Sequence, residues 1–241
     1  MNKIWIIAKR ELGTFFDSLT AYIMLVAFLG FSGFFTWLYG SDIFLRNQAD
    51  LQVFFNIAYW TLFFFIPAIT MRTMAEENKS GTIELLLTKS VSDWQIVVGK
   101  FVACMVLILI ALALTLPYYL TVWKLGPVDH GSVLTGYLGL ILMSATYISI
   151  GIYTSTVTSN QIVAFLSALL IGIFFHIIFD VIASGSTGSI GAFFSYLSLS
   201  THYDSISRGV IDSKDLIYFF SIIFLGLVLS ETTLSKRNLA D

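Results

Sequence analysis

The stretch VVGKFVACMVLILIALALTLPYYLTVW, residues Val97–Trp123, decides how the chain folds. After Lys100 it carries no charged side chain until Lys124. As a helix rising 1.5 Å per residue it measures about 40 Å, enough to cross the roughly 30 Å of bilayer hydrocarbon. There, each backbone amide must find its partner within its own segment, and only a helix does that for an open-ended run. Five other runs share this character: Leu19–Tyr39, Phe54–Thr70, Gly136–Val157, Ile162–Ile182 and Leu216–Thr233. None alternates apolar and polar residues with period two, which excludes a membrane barrel. The expected fold is all-α: a polytopic membrane protein with six transmembrane helices, forming one domain over 1–241.

Composition agrees. Hydrophobic residues make up 57% of the chain and charged residues 12%, with a mean hydropathy of +0.85. Soluble domains carry about 25% charged residues. A net charge of −2 offers no basic surface to nucleic acid, and the expected environment is the lipid bilayer. The single cysteine, Cys104, lies in the third run, can form no intrachain disulfide and reads as a small buried hydrophobe. The amino terminus does not read as a secretory signal. Lys3, Lys9, Arg10 and Glu11 are too dispersed, the first run is too long, and no small-residue cleavage site follows it.

Basic residues orient the spans. With the amino terminus inside, nine fall on the cytoplasmic side (Lys3, Lys9, Arg10, Arg72, Lys79, Lys89, Lys100, Lys236 and Arg237). Four, Arg46, Lys124, Arg208 and Lys214, fall outside. This asymmetry places both termini in the cytoplasm. Trp37, Tyr39, Trp60, Trp94 and Trp123 sit at or near span ends, where amphipathic rings favour headgroups.

The connections carry further patterns. Within residues 1–17, Ile4, Trp5, Ala8, Leu12, Phe15 and Phe16 recur on one helical face, predicting an interfacial helix on the cytoplasmic side. Between spans two and three, RTMAEENKSGTIELLLTK (Arg72–Lys89) is the densest charge cluster of the chain. Ser80-Gly81-Thr82 signals a turn, and Gly81 suits a conformation closed to other residues. A short helix with Ile83, Leu86 and Leu87 on one face should follow. It is too short to stand alone in water, so its apolar face needs a partner, whereas a solvated loop would not need such a face. Ser90 and Asp93 have capping-box spacing for the next helix. On the outer side, Gly185, Gly188 and Gly191 suggest a flexible stretch, followed by an amphipathic outer helix over 192–210.

These residues resemble a known family. EENKSGTIELLLTKSVSDWQIVVGK (Glu76–Lys100) resembles the membrane subunits of ABC-2 class ABC transporters, in which an acidic pair, a Gly-Thr turn and a leucine-rich helix join spans two and three. Lys9, Arg10 and Glu11 look like their amino-terminal interfacial helix. IPAITMR (Ile66–Arg72), YTSTVTSNQIVAF (Tyr153–Phe165) and HYDSISRGVID (His202–Asp212) look like the gliding-motility-associated permease of Bacteroidetes.

The resemblance implies an inner-membrane permease coupling ATP hydrolysis to transport or force transmission. It would pair with two copies of a cytoplasmic ABC ATPase and a second membrane subunit, a distinct protein with a large extracytoplasmic domain. The resemblance also makes Glu76, Glu77, Gly81, Thr82, Ile83, Glu84, Leu86 and Leu87 the ATPase-coupling residues. No cofactor would bind this chain, and ATP and Mg would sit on the ATPase. From the residues themselves, Val98-Gly-Lys-Phe101 lacks the spaced glycine and Ser/Thr of a P-loop, so an energised transporter must import its ATPase.

Little else suggests chemistry, and the chain does not read as an enzyme. His130, His176 and His202 have no metal-binding spacing. His176 and Asp180, four apart in span five, either hydrogen-bond each other locally or line a path or gate. Pro67 and Pro117 are expected to kink spans two and three. Ser144, Ser149, Gly151, Thr154 and Ser155 would let span four pack closely. The competing readings are a secondary transporter, disfavoured by the lack of an internal repeat, and an ABC-2 permease of another subfamily exporting a lipid, polysaccharide or drug.

Overall fold

A computed structural model of the protein describes residues 3–39, 49–81 and 91–238. The described residues are helical throughout, without a strand, and six helices are long and apolar enough to cross a membrane. The protein is therefore an all-α polytopic membrane protein.

Helix α1 (Lys3–Asp17) is followed by an elbow at Leu19, whose φ of 59° turns the chain into α2 (Thr20–Trp37), the first span. A left-handed leucine costs about 1–2 kcal/mol, offset here by the contacts on either side of the elbow. The second span, α3 (Gln52–Thr70), continues through Pro67 and turns at Met71–Met74 into α4 (Ala75–Ser80). Gly81 closes α4 with a φ of 69°, the left-handed cap that the Ser-Gly-Thr signal anticipated.

Span three departs from expectation. Pro117 does not kink one continuous helix. Helix α5 (Asp93–Ala113) ends, and α6 (Leu116–Leu125) restarts with Pro117 in its first turn. Proline has no N–H to give and its ring crowds the carbonyl four residues back, so a break costs less than a kink. Thr115 makes the break tolerable in hydrocarbon: its hydroxyl donates to the Leu112 carbonyl oxygen and lies 3.0 Å from the Tyr137 hydroxyl. A capping box opens α5. It is formed by Ser92 with Gln95: the Gln95 N–H donates to Ser92 Oγ and the Ser92 N–H donates to Gln95 Oε1, while Ser90 lies outside the described residues.

Span four, α7 (His130–Val157), is the axis of the bundle. It touches spans two, three, five and six, and 78% of its most apolar window is buried, against 22% for spans five and six. Ser144, Ser149, Gly151, Thr154 and Ser155 all lie buried on it, as close packing by small residues requires. The fifth span runs as α8 (Gln161–Ile173), a π-helical turn at Phe174–Ile178, and α9 (Phe179–Gly185).

The segment beyond span five places Gly185, Gly188 and Gly191 in helices and is not a single helix over 192–210. Helix α10 (Gly188–Leu197) begins at a left-handed Gly188, and α11 (Leu199–Ser207) follows directly. Ser198 breaks the chain between them, because its hydroxyl accepts the Thr201 N–H as an N-cap. Leu199, His202, Tyr203 and Ile206 form the buried face of α11, which packs on span four. The last span is α12 (Ser213–Asn238).

Candidate functional site

Helix α1 packs along α5, and Gly99 sets how closely. A Cβ at Gly99 would stand 2.7 Å from the Ile7 side chain, so only glycine admits this contact. The buried face of α1 is rotated from the one expected. Ile7, Ala8 and Phe15 are buried, whereas Trp5 is 53% exposed. Glu11 falls in the middle of that face, about one turn from each of its apolar members.

The reason lies across the contact. Lys100, counted among the cytoplasmic charges by sequence, is 1% exposed. Its ammonium donates to the Thr73 carbonyl oxygen and lies 3.2 Å from Glu11 Oε1 and 2.9 Å from Glu77 Oε2. Three oxygens surround a group with three protons. Arg10 bridges Glu11 and Glu77 (2.5 and 3.1 Å), and Arg72 pairs with Glu76 at 3.1 Å while its Nη1 donates to Thr20 Oγ1 at 3.2 Å. Arg10, Glu11, Arg72, Thr73, Glu76 and Glu77 line a cavity of about 200 Å³. Burial alone would raise the Glu11 carboxyl, but Lys100 and Arg10 prevail and hold it below its ordinary value. Burial likewise opposes, and both glutamates outweigh it, in raising Arg10.

Span four closes the other side of α4. Ser155 Oγ accepts the N–H groups of Met74 and Ala75 and donates to the Met71 carbonyl oxygen. Asn78 Nδ2 donates to the Thr156 and Thr158 carbonyl oxygens at 3.2 and 3.3 Å. The bend leaving span two thus has backbone groups satisfied by α7, while its Glu77 carboxylate is held by α1 and α5.

Of the residues expected to couple, Glu76, Glu77 and Gly81 belong to this cluster or end it. Thr82, Ile83, Glu84, Leu86 and Leu87 lie outside the described residues, as does Ser90. Lys9 and Arg10 are exposed on α1, and Glu11 is largely covered. Lys100 and Thr73 went unrecognised. The one available signal was a lysine four residues into an otherwise uncharged run.

The His176–Asp180 hydrogen bond expected as one alternative does not form. His176 lies in the π turn, where the regular i, i+4 geometry is lost, and its Nδ1 meets the Tyr147 hydroxyl. Its ring stacks on Tyr59 at 4.1 Å. Asp180 points elsewhere, into a cavity at the end of the bundle away from the termini. At that same end the sequence reading missed a buried pair, His202 Nδ1 with Asp215 Oδ1 at 2.7 Å, which ties α11 to the first turn of α12.

A bundle with six candidate spans and no strand among the described residues, tied by buried charge around the bend after span two, defines a polytopic membrane protein. The chain belongs to the ABC-2 family transporter proteins, whose sequence model matches residues 5–232. It is also similar to the probable multidrug ABC transporter permease YbhR of Escherichia coli K12 and to YbhR of E. coli O157:H7, each 26% identical over 120 residues. The aligned part covers 50% of this chain and 31% of each relative.

Proposed function

We propose that the chain is the permease subunit of an ATP-driven ABC-2 transporter or machine, taking its energy from two copies of a cytoplasmic ATPase that bind ATP and Mg. The observation that carries this reading is the cluster around Lys100. It makes α1, the bend after span two and the start of span three one mechanical unit, and the chain leaves that unit at Gly81 directly into the segment 82–90. A push on that segment reaches span two through Arg72 and Glu76, span three through Lys100, and span four through Ser155 and Asn78. Ile83, Leu86 and Leu87 form the surface docked on the ATPase, each worth about 1.5–3 kcal/mol if fully buried. Thr82 and Glu84 flank that surface, and Glu76, Glu77 and Glu84 set register more than affinity.

The proposed localisation is the bacterial inner membrane with both termini cytoplasmic, supported by the nine-to-four distribution of basic residues. Single cysteines at Ser132 and Ser186 should then react with impermeant reagents added to intact spheroplasts, and one at Lys79 should not. Labelling of Lys79 from outside would reverse the topology.

A second membrane subunit with a large extracytoplasmic domain and a gliding-motility role follow from the resemblance at Ile66–Arg72, Tyr153–Phe165 and His202–Asp212. The multidrug description of YbhR supports small-molecule export as the second reading. The central test is ATPase co-purification and stimulated hydrolysis with two separate variants. Leu86→Asp should abolish binding, and Glu76→Lys, which inverts the charge facing Arg72, should leave binding weakened or uncoupled. If both variants hold and stimulate the ATPase normally, the segment is an ordinary loop.

A further inference from the structure

Where α3 begins, its first turns meet α9 and α11 around an open cavity of about 500 Å³. Two carboxylates, Asp180 on α9 and Asp204 on α11, line it, and neither forms an ion pair among the described residues. Burial pushes the Asp204 carboxyl up; the charge of Arg208 opposes this and that of Asp180 adds to it. Arg208 stays at the rim because its Nε donates to the Asp204 backbone oxygen at 2.9 Å.

The floor is aromatic and rigid. Tyr59 lies flat between His176 and Tyr203, with ring centroids 4.1 and 4.4 Å away. Its hydroxyl is 2.7 Å from Ser200 Oγ. Ser200 spends its own proton on the His176 carbonyl oxygen, so Tyr59 is the donor. Trp60 is different: 42% exposed, it leaves its indole available at the cavity wall. From Gln52 to Trp60 the wall descends about 12 Å along the helix, from the span end to the depth of lipid headgroups and upper acyl chains.

We propose that this cavity binds an organic ammonium group carried on an apolar body, with Asp180 and Asp204 holding the charge and Trp60 the adjoining surface. Two carboxylates beside an indole, outnumbering the single Arg208 at the rim, make the arrangement that attracts such a cation. The volume falls within the roughly 300–1,000 Å³ of small-molecule sites. A metal ion fits poorly, since no group of three metal-binding side chains converges among the described residues. The ammonium can arrive on a soluble amphiphile or on an aminophospholipid headgroup. The inference rests on the permease reading only in making this molecule the transporter's cargo; binding itself does not depend on it.

The test titrates the purified complex in maltoside micelles with benzyltriethylammonium, following tryptophan fluorescence, against benzenesulfonate as the anionic counterpart. Saturable binding of the ammonium alone is expected. Asp180→Asn and Asp204→Asn, both nearly isosteric, should each weaken it about tenfold, and Trp60→Leu about fivefold. Displacement by added phosphatidylethanolamine would identify the lipid as the natural source, and absence of displacement the soluble amine. Equal binding of the sulfonate, or unchanged binding in the double Asp180→Asn/Asp204→Asn variant, overturns the proposal. ATPase co-purification from the same preparations separates the two readings. Its absence from the wild-type complex removes the permease assignment while ammonium binding stands, and its presence beside unchanged variant binding removes only the cavity.

Discussion

Replacing Lys100 by alanine should lower the stability of the protein by about 3–5 kcal/mol, because it leaves two covered carboxylates with only the half-exposed Arg10 as counter-charge. The Glu11 and Glu77 side chains are 12% and 17% exposed and both face the position that Lys100 vacates. Helix α1 should detach first, since Glu11 sits in the middle of its packed face. Trypsin cleavage at Lys9 and Arg10 in intact complexes would report this, together with the thermal transition in detergent. The double variant Lys100→Gln/Glu77→Gln should lose less than the sum of its single changes, as residues in one network do. Strict additivity would mean that Lys100 matters only through packing. Acid should act in the same direction. The folded carboxyl of Glu11 lies below its ordinary value of 4.5, so its contribution is fully present above that value and is lost as pH falls through the lower folded one. If the cluster transmits motion as proposed, Lys100→Gln should also reduce ATPase stimulation in complexes that still assemble.

Asp215→Ala should cost a similar amount, about 3–5 kcal/mol, at the opposite end. His202 is 4% exposed and Asp215 1%. The imidazole is satisfied on both sides, with Nδ1 on Asp215 and Nε2 3.1 Å from the Tyr196 carbonyl oxygen. Tyr218 stacks on the ring at 4.0 Å, and its hydroxyl donates to the Leu197 carbonyl oxygen at 2.7 Å. Removing Asp215 therefore loosens α10 and α11 from the last span, leaving Tyr218 as their tie to it. The expected signs are a lower thermal transition and new proteolysis between Gly188 and Arg208, with the bundle itself intact. His202→Ala/Asp215→Ala should be little worse than either single change. A double variant that loses the full sum would show two independent contacts and no latch.

Much of this fold was legible without coordinates, for a physical reason. Hydrocarbon leaves a long uncharged run only one way to satisfy its backbone, so six runs imply six helices whatever they pack against. Turn chemistry was equally local: Gly81 occupies the left-handed region because the residue after α4 must turn there. Local rules also explain the near misses. Ser90 was singled out by its spacing to Asp93, yet Ser92 has the same spacing to Gln95, and only the folded chain showed that box closed. Pro117 announced a disturbance of span three, but whether that meant a bend or a break depended on Thr115 reaching the Leu112 carbonyl oxygen.

The site was legible only in part. The acidic pair Glu76–Glu77 stood out as charge, and its neighbours in sequence suggested a surface for a partner. What the pair does inside the protein was invisible, because Arg10 and Glu11 lie 67 and 66 residues from Glu77 and Lys100 lies 23 beyond it. Charge counting put Lys100 in the water because a lysine near a span end is cheapest there. The tertiary structure instead buried it, since three oxygens from three elements offset the loss of hydration. The same division holds at the far end, where His176 and Asp180 share a helical face in sequence and a π turn sends them to different neighbours. Backbone satisfaction is a local demand that residues along the chain announce. The pairing of buried charge is a demand between distant segments, and only packing decides which segments meet.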